Sequence, residues 1–170
     1  MIADSSPPSN PSARARPLSH DAFLAVVRDT PLVSIDLVVS DVDGRLLLGQ
    51  RTNEPARGAW FVPGGRILKD EPLDAAFTRL TAIELGLPLA RADASLLGVY
   101  THLYETNFAR VPGISTHYVV LAYRLDLNLN LEALPRTQHS SYRWWARDEA
   151  FASGQVHPNI HPYFVSDPGV

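Results

Sequence analysis

The sequence predicts an α/β protein of the α+β type, in which a mixed β-sheet is sandwiched between α-helices. The most regular helical periodicity lies at residues 72–85, which begin with a proline and are followed by Gly86. Shorter apolar stretches bounded by turn residues lie on both sides of this helix and are typical of strands. Strands that surround one strong helix favour a sheet with helices packed on its faces.

The predicted elements follow one another from residue 18 onward. Residues 1–17 contain four prolines, Pro7, Pro8, Pro11 and Pro17, and several serines, a composition that predicts a disordered tail. Ser19 is expected to cap a short helix that Pro31 ends. Strands are predicted at 32–39, 45–51, 60–62, 96–103, 116–127 and 142–146, with a turn at 41–44 and a last short helix at 147–152. The expected organisation is one domain over residues 18–170.

Composition excludes several classes of protein. The chain has 15 Lys and Arg against 18 Asp and Glu, a net charge of -3, which argues against a nucleic-acid binder. It has 170 residues and no cysteine, so a single domain can bury its core without disulfides or thiolate metal sites. No basic segment followed by a long apolar run occurs at the N-terminus, and no stretch is long enough to span a membrane. We therefore expect a cytoplasmic protein with no membrane partner.

Glu84 stands out because it falls within the apolar stripe of the predicted helix. At 100° per residue it lies between Phe77 and Leu80, where a buried carboxylate is costly unless a cation compensates it. Two interpretations are open, an ion pair with Arg79 or Arg66 and a metal ligand. The preceding turn, residues 63–66, contains two glycines that would expose backbone carbonyls, and such oxygens together with a carboxylate suit Mg²⁺.

The segment from Gly65 to Gly86 resembles the Nudix box, in which a glycine is followed by five residues, a glutamate, seven residues and an arginine-led helix. Here Glu71 and Arg79 occupy the glutamate and arginine positions. The Nudix pattern has further glutamates after the arginine, whereas this chain has Leu80, Ile83 and Glu84 at those places. Because only one of these three positions keeps its carboxylate, we expect one metal ion and a base supplied from elsewhere in the chain.

Further segments narrow the resemblance to the GDP-mannose mannosyl hydrolases. They are residues 30–36, 47–53, 60–66, 116–121 and 138–139, so the resemblance extends over roughly residues 19–165. It implies hydrolysis of GDP-mannose to GDP and free sugar by attack of water at the anomeric carbon with inversion. It also implies one Mg²⁺ per subunit, held by Glu84, Gln138 and the Gly64 carbonyl, and a homodimer. GDP-mannose is the expected substrate, and GDP-glucose is an alternative that the sequence leaves open.

The resemblance assigns roles to several polar residues. Arg51 and Arg66 are expected to stabilise the departing diphosphate, because guanidinium groups bind phosphate oxygens well. Arg79 is expected either to support the site or to contact the diphosphate. Tyr118 either hydrogen-bonds a phosphate or packs in the core.

Two further residues are candidates for the chemistry itself. His139, in a polar segment interpreted as a loop that closes over the sugar, is expected to be the general base. Asp36 interrupts an apolar strand and is either an acceptor for an arginine or a residue that orients the substrate.

Two other functions compete with this hypothesis. A conventional Nudix pyrophosphatase would attack phosphorus and release a nucleoside monophosphate, but the missing carboxylates of the box disfavour it. A non-catalytic nucleotide-sugar sensor would use Arg51 and Arg66 without needing His139 or Glu84. The presence of all four residues favours an enzyme.

Overall fold

The computed structural model describes residues 18–165, so the predicted tail at 1–17 lies outside the described residues. Within this range the elements are α1 His20–Asp29, β1 Leu32–Ser40, β2 Leu46–Arg51, β3 Trp60–Phe61, β4 Gly64–Arg66, α2 Leu73–Leu85, β5 Ser95–Tyr104, β6 Thr116–Asp126, β7 His139–Trp145 and α3 Arg147–Ser153. Short 3₁₀ helices cover Arg91–Asp93, Leu131–Ala133 and Pro158–Phe164. None of the helices in residues 18–165 has the length and apolar character needed to cross a membrane.

The strands form one mixed sheet, as the sequence predicts. Its main path has the order β3-β2-β1-β6-β5, with β4 also paired to β1 and β7 to β2. β1 and β6 run parallel over nine residue pairs, whereas the other pairings are antiparallel. β1 is therefore the central strand, and its neighbours β4 and β6 determine what lies beside it.

Side chains of β1 alternate between two cores, because successive residues of a strand point to opposite faces. Ile35 and Leu37 face α2, in a core with Phe77, Leu80 and other buried apolar residues. Val38 faces the opposite side, where a second core contains Trp145 from β7, Ala150 from α3, and Ile160 and Tyr163 from the C-terminal 3₁₀ helix. Asp36 shares this second face, so the C-terminal segment packs on the side of the sheet that carries Asp36.

The helix boundaries agree closely with the predictions. Ser19 caps α1 by accepting a hydrogen bond from the backbone N–H of Ala22 at 3.3 Å. Gly86 ends α2 with φ 73°, the left-handed conformation that glycine adopts without strain. Pro72 is the N-cap residue of α2 rather than its first residue.

Two strand predictions were wrong. β4 was interpreted only as a turn, because two glycines carry no apolar alternation that would indicate a strand. β7 begins at His139 rather than at residue 142, because His139 is paired with Arg51 of β2. Both errors concern segments that contribute to the candidate site.

Candidate active site

A cleft of about 350 Å³ opens beside β4 and collects most of the residues singled out from the sequence. Asp36 and Tyr118 line it from β1 and β6, and Arg51 lines it from the end of β2. The other predicted site residues in its wall are Gly64, Arg66, Arg79 and Gln138. Seven of the nine predicted site residues therefore share one cavity, while Glu84 and His139 are buried behind it.

Arg51 and Arg66 approach this cleft from two strands. The Nε of Arg51 donates to the carbonyl of Pro55 at 3.0 Å, and the guanidinium lies 5.6 Å from the ring centre of Phe61. The guanidinium of Arg66 lies 3.9 Å from the ring centre of Phe23. Burial lowers the pKa of Arg66, while the nearby Tyr118 acts in the opposite direction. The two cations make the cleft suited to a dianionic or more highly charged ligand.

Arg79 is held by Glu71 rather than by Glu84. Its Nε and Nη2 donate to the two carboxylate oxygens of Glu71 at 2.6 and 2.8 Å, and Nη2 also donates to the carbonyl of Arg66 at 2.8 Å. Through these hydrogen bonds, Arg79 connects the segment just before α2, at Glu71, to the end of β4, at Arg66. Arg79 thus has a structural role and still lines the cleft, but the expected ion pairs of Glu84 with Arg79 or Arg66 do not form.

Glu84 is 2% exposed, which confirms that the carboxylate lies on the buried face of α2. Its Oε1 accepts a hydrogen bond of 2.5 Å from the Nε2 of Gln138, and its Oε2 lies 3.7 Å from the Nδ1 of His139. Burial raises the pKa of Glu84 to about 7, with an opposing effect of the Arg51 charge. Burial also lowers the pKa of His139 to about 4, so the imidazole is neutral at pH 7 and does not balance the carboxylate.

Glu84, Gln138 and the Gly64 carbonyl offer oxygen atoms of the kind that a hard divalent cation binds. Among residues 18–165 no group of three His, Asp or Glu side chains gathers in a metal-binding cluster, so the ligand set depends on other oxygens. Leu37 N–H bonds the Pro63 carbonyl and Ile67 N–H bonds the Val33 carbonyl, so the intervening Gly64 occupies a non-hydrogen-bonded position of the ladder. Its carbonyl therefore points away from β1 and is not used by that strand.

Gln138 differs from the expected ligand geometry in one respect. Its NH₂ group faces Glu84, so the amide oxygen would reach a cation only after the side chain turns. Glu84 already presents a carboxylate, and the Gly64 carbonyl makes no hydrogen bond to β1, so neither group has to turn in the way that Gln138 does. The donor set fits Mg²⁺, with Gln138 as the member that must rearrange.

The position of His139 corrects the interpretation of this segment as an open loop. His139 is the first residue of β7, is 1% exposed, and packs its ring against Gly49, where an added Cβ would lie 2.4 Å from the ring. Its Nδ1 lies 3.2 Å from the Tyr142 hydroxyl, which in turn donates to the carbonyl of Pro135 at 2.7 Å. Nδ1 therefore carries the proton, and the buried Nε2 has no hydrogen-bond partner among the described residues.

Asp36 is paired with a tyrosine instead of the arginine that the sequence suggested. Its Oδ2 accepts a hydrogen bond of 2.8 Å from the hydroxyl of Tyr163 and lies 4.0 Å from the Nδ1 of His102. Burial raises the pKa of Asp36 to about 7, and the hydrogen bond from Tyr163 and the charge of Arg51 oppose this effect. A carboxyl with a pKa near neutrality in a cleft is typical of a functional site.

A comparison with known protein families gives this geometry a context. A family model described as the NUDIX domain matches residues 30–165. The chain belongs to the Nudix family. The matched range contains every predicted site residue and ends at the last described residue of the structure.

Individual proteins and solved structures are similar to this chain over most of its length. The low-salt glycan biosynthesis protein Agl8 of Haloferax volcanii is 43% identical over 150 residues, which cover 86% of this chain and 85% of that protein. A MutT NUDIX hydrolase of Burkholderia pseudomallei has 30% identity and a TM-score of 0.54, with 71% of this chain and 87% of that chain covered. The NUDIX domain of Shewanella oneidensis NrtR, solved with ADP ribose, has 19% identity and a TM-score of 0.56, with 87% and 95% covered.

The Nudix box of this chain lacks carboxylates at two helix positions where the Nudix pattern has glutamate. Leu80 replaces the first and packs against β4, where a Cβ on Gly65 would lie 2.7 Å from its Cδ2. Ile83 replaces the second and lines the cleft while remaining 45% exposed. Glu84 is thus the single box carboxylate beside Gln138 and His139.

Sequence reasoning did not select Tyr163 or His102 as site residues. Tyr163 lies far from Asp36 along the chain, in a segment whose proline-containing sequence predicts no regular element. His102 lines the cleft and lies 3.3 Å from the Tyr163 hydroxyl through its Nε2. The unexplained Asp36 in an apolar strand was the available signal, because it required a buried donor from elsewhere.

Proposed function

We propose that this Nudix protein hydrolyses a GDP-linked hexose, GDP-mannose or GDP-glucose, to GDP and the free sugar by attack of water at the anomeric carbon. The observation that carries the proposal is the convergence of Arg51, Arg66 and Gln138 on one cleft, with Glu84 as the one glutamate left on the box helix behind it. A cleft with two guanidinium groups and one such carboxylate suits departure of an intact diphosphate. It offers less support for attack on phosphorus, because the box helix has no second glutamate and Glu71 is engaged by Arg79.

Known relatives support a sugar-linked substrate. Glycan assembly uses sugars activated by a phosphate or nucleotide leaving group, and a protein of 43% identity is described as a low-salt glycan biosynthesis protein. The likeness covers 86% of this chain.

The residues of the cleft divide the work in the proposed reaction. Arg51 and Arg66 bind the diphosphate oxygens and stabilise the charge that develops as GDP leaves. Mg²⁺, held by Glu84, the Gly64 carbonyl and Gln138, would supply further charge neutralisation at the same oxygens. Tyr118, beside Arg66 in the cleft wall, offers a hydroxyl to a phosphate oxygen.

His139 and Asp36 are proposed to act at the sugar. The His139 Nε2 has a free lone pair because Nδ1 carries the proton, which is the form that a general base needs. Its ring must become accessible from the cleft for this role, which requires a rearrangement at the start of β7. Asp36, oriented by Tyr163, is proposed to stabilise the positive charge that develops at the anomeric centre.

The site of attack can be determined with isotopically labelled water. The protein is incubated with GDP-mannose and Mg²⁺ in H₂¹⁸O, and the products are analysed by mass spectrometry and NMR. We expect ¹⁸O in free mannose of inverted anomeric configuration and unlabelled GDP, and no turnover with EDTA. Label in GMP or mannose 1-phosphate would instead establish attack at phosphorus, and binding without turnover would establish a sensor.

We also propose that the protein is a homodimer. Val33, Val99 and Leu103 lie on the α2 side of the sheet near its β5 edge and are 44%, 61% and 67% exposed. Such a patch is suited to an interface between copies. Sedimentation equilibrium is expected to give twice the mass of 18.7 kDa, and a Leu103→Glu variant should shift this value toward the monomer. A monomeric parent protein at micromolar concentration would contradict the proposal.

A further inference from the structure

Two loops that line the cleft are joined by an ion pair. The β2–β3 loop, residues 52–59, contributes Glu54 to the cleft wall, and the β5–β6 loop, residues 105–115, contributes Phe108. The Nε and Nη2 of Arg110 in the second loop donate to the same carboxylate oxygen of Glu54 at 3.1 and 2.9 Å. The two residues are 56 positions apart in the sequence, so their contact connects segments that the chain itself does not hold together.

The ion pair lies on the solvent side of the cleft. The side chain of Arg110 is 59% exposed, whereas that of Glu54 is 18% exposed and lines the cleft. The guanidinium of Arg110 therefore covers the Glu54 carboxylate from the solvent side. A contact in this position must break before the two loops can move apart.

A buried asparagine organises the β5–β6 loop. Asn107 is fully buried, and its side-chain NH₂ group donates to the carbonyls of Val111 and Ile114 at 2.8 Å each. Its side-chain oxygen accepts from the backbone N–H groups of Ala109 and Val111 at 3.0 and 3.2 Å, and its carbonyl accepts from the N–H of Arg110 at 3.0 Å. Arg110 is therefore presented to Glu54 by a preorganised backbone.

The β2–β3 loop is attached to Arg51, one of the two cations of the cleft. The Nε of Arg51 donates to the carbonyl of Pro55 at 3.0 Å, and the N–H of Gly58 donates to the carbonyl of Arg51 at 2.9 Å. Glu54 directly precedes Pro55 in the chain. The position of Glu54 therefore affects both the wall of the cleft and the acceptor that holds the Arg51 side chain.

We propose that the Glu54–Arg110 ion pair is a latch that keeps the two loops together beside a bound ligand, so that its opening controls ligand exchange. The inference rests on the proposed function for the ligand, a nucleoside diphosphate. An exposed ion pair adds little to the stability of a whole domain, but the same small free energy changes an opening rate several-fold. Salt screens the attraction between the partners, so the latch weakens as ionic strength rises.

The latch is tested through the rate at which GDP leaves the cleft. A GDP derivative with a fluorophore on its ribose is bound with Mg²⁺ and displaced by unlabelled GDP in a stopped-flow instrument, for the parent, Glu54→Gln and Arg110→Gln. The matched control is Arg28→Gln, because Arg28 is also 59% exposed but pairs with the adjacent Asp29 and joins no two loops. We expect both latch variants to release the ligand about two- to fivefold faster than the parent and the control.

The direction of the two effects separates a latch from a simple effect of charge. Removing a carboxylate should slow the release of an anionic ligand, and removing a guanidinium should speed it, so charge effects of the two variants have opposite signs. Loss of a latch has the same sign in both, and the double variant should differ little from either single variant. Opposite effects on release, or effects that add in the double variant, would overturn the proposal.

Hydrogen exchange without a ligand keeps this inference separate from the proposed function. The N–H of Gly58 donates to the Arg51 carbonyl, and that of Ala109 donates to the Asn107 side chain, so each amide reports on one loop. We expect both amides to exchange about two- to fivefold faster in each latch variant, and the difference to vanish at about 1 M salt. Unchanged exchange would refute the latch. Failure of the parent to bind GDP would instead contradict the proposed function, and the exchange measurement would still decide the latch.

Discussion

Replacing Glu84 by glutamine is expected to lower kcat with GDP-mannose by roughly a thousandfold, because the only box carboxylate beside Gln138 is lost. The amide keeps the size of the side chain and can still accept the hydrogen bond from Gln138. The measurement is steady-state kinetics with a titration of Mg²⁺. Glu149→Gln provides the matched control, since Glu149 lies on α3 and pairs with Arg143 outside the cleft. Near-parental activity of Glu84→Gln would exclude Glu84 as the metal ligand.

The same substitution is expected to stabilise the folded protein at neutral and alkaline pH in the absence of Mg²⁺. The pKa of Glu84 is about 7 in the fold against an ordinary value of 4.5, so the folded state binds the proton more tightly than the unfolded state. The buried carboxyl costs no stability below pH 4.5 and becomes progressively destabilising as the pH rises to about 7. Urea unfolding should show similar stabilities at pH 4 and a gain of about 3 kcal/mol for Glu84→Gln at pH 8.

Replacing His139 by glutamine is expected to lower kcat by roughly a hundredfold to ten-thousandfold, the range for loss of a general base. GDP binding should change little, because the His139 ring does not line the cleft. The experiment compares kcat and the dissociation constant of GDP for His139→Gln and Asp36→Asn. If His139→Gln retains activity and Asp36→Asn loses it, Asp36 is the base and the assignment to His139 is wrong.

Gly49→Ala supplies a second test of His139 without altering its chemistry. The added Cβ would lie 2.4 Å from the imidazole, so the ring must be displaced. If His139 acts as the base, kcat should fall while the dissociation constant of GDP is retained.

Local sequence signals were sufficient for much of the fold. Ser19 and Gly86 indicated helix ends because capping depends on residues close in sequence. The burial of Glu84 followed from helical periodicity alone. The strand at Gly64 could not be predicted in this way, since its pairing with β1 depends on backbone contacts that its side chains do not encode.

The candidate site was predicted as a set of residues but not as a network of contacts. Spacing in the box identified Arg79, yet its choice of Glu71 over Glu84 depends on how the segment before α2 folds back. The prediction that His139 lies in a loop was wrong. The polar residues around it were taken as a sign of a loop, whereas β2 supplies a strand partner for His139 and the side chain is buried. The Tyr163 donor of Asp36 is separated from it by 127 residues, a distance over which a single sequence carries no pairing signal.

The contact between Asp36 and Tyr163 also bears on how the domain may be altered. Ile160 and Tyr163 fill the second core, and the phenol of Tyr163 donates the hydrogen bond that holds Asp36, a residue of the cleft wall. Deleting residues 158–164 would therefore remove the hydrogen-bond donor of Asp36 together with side chains of the second core. Variants for crystallisation or immobilisation should keep residues 158–164 intact, because this short helix supports both the second core and the Asp36 carboxyl of the candidate site.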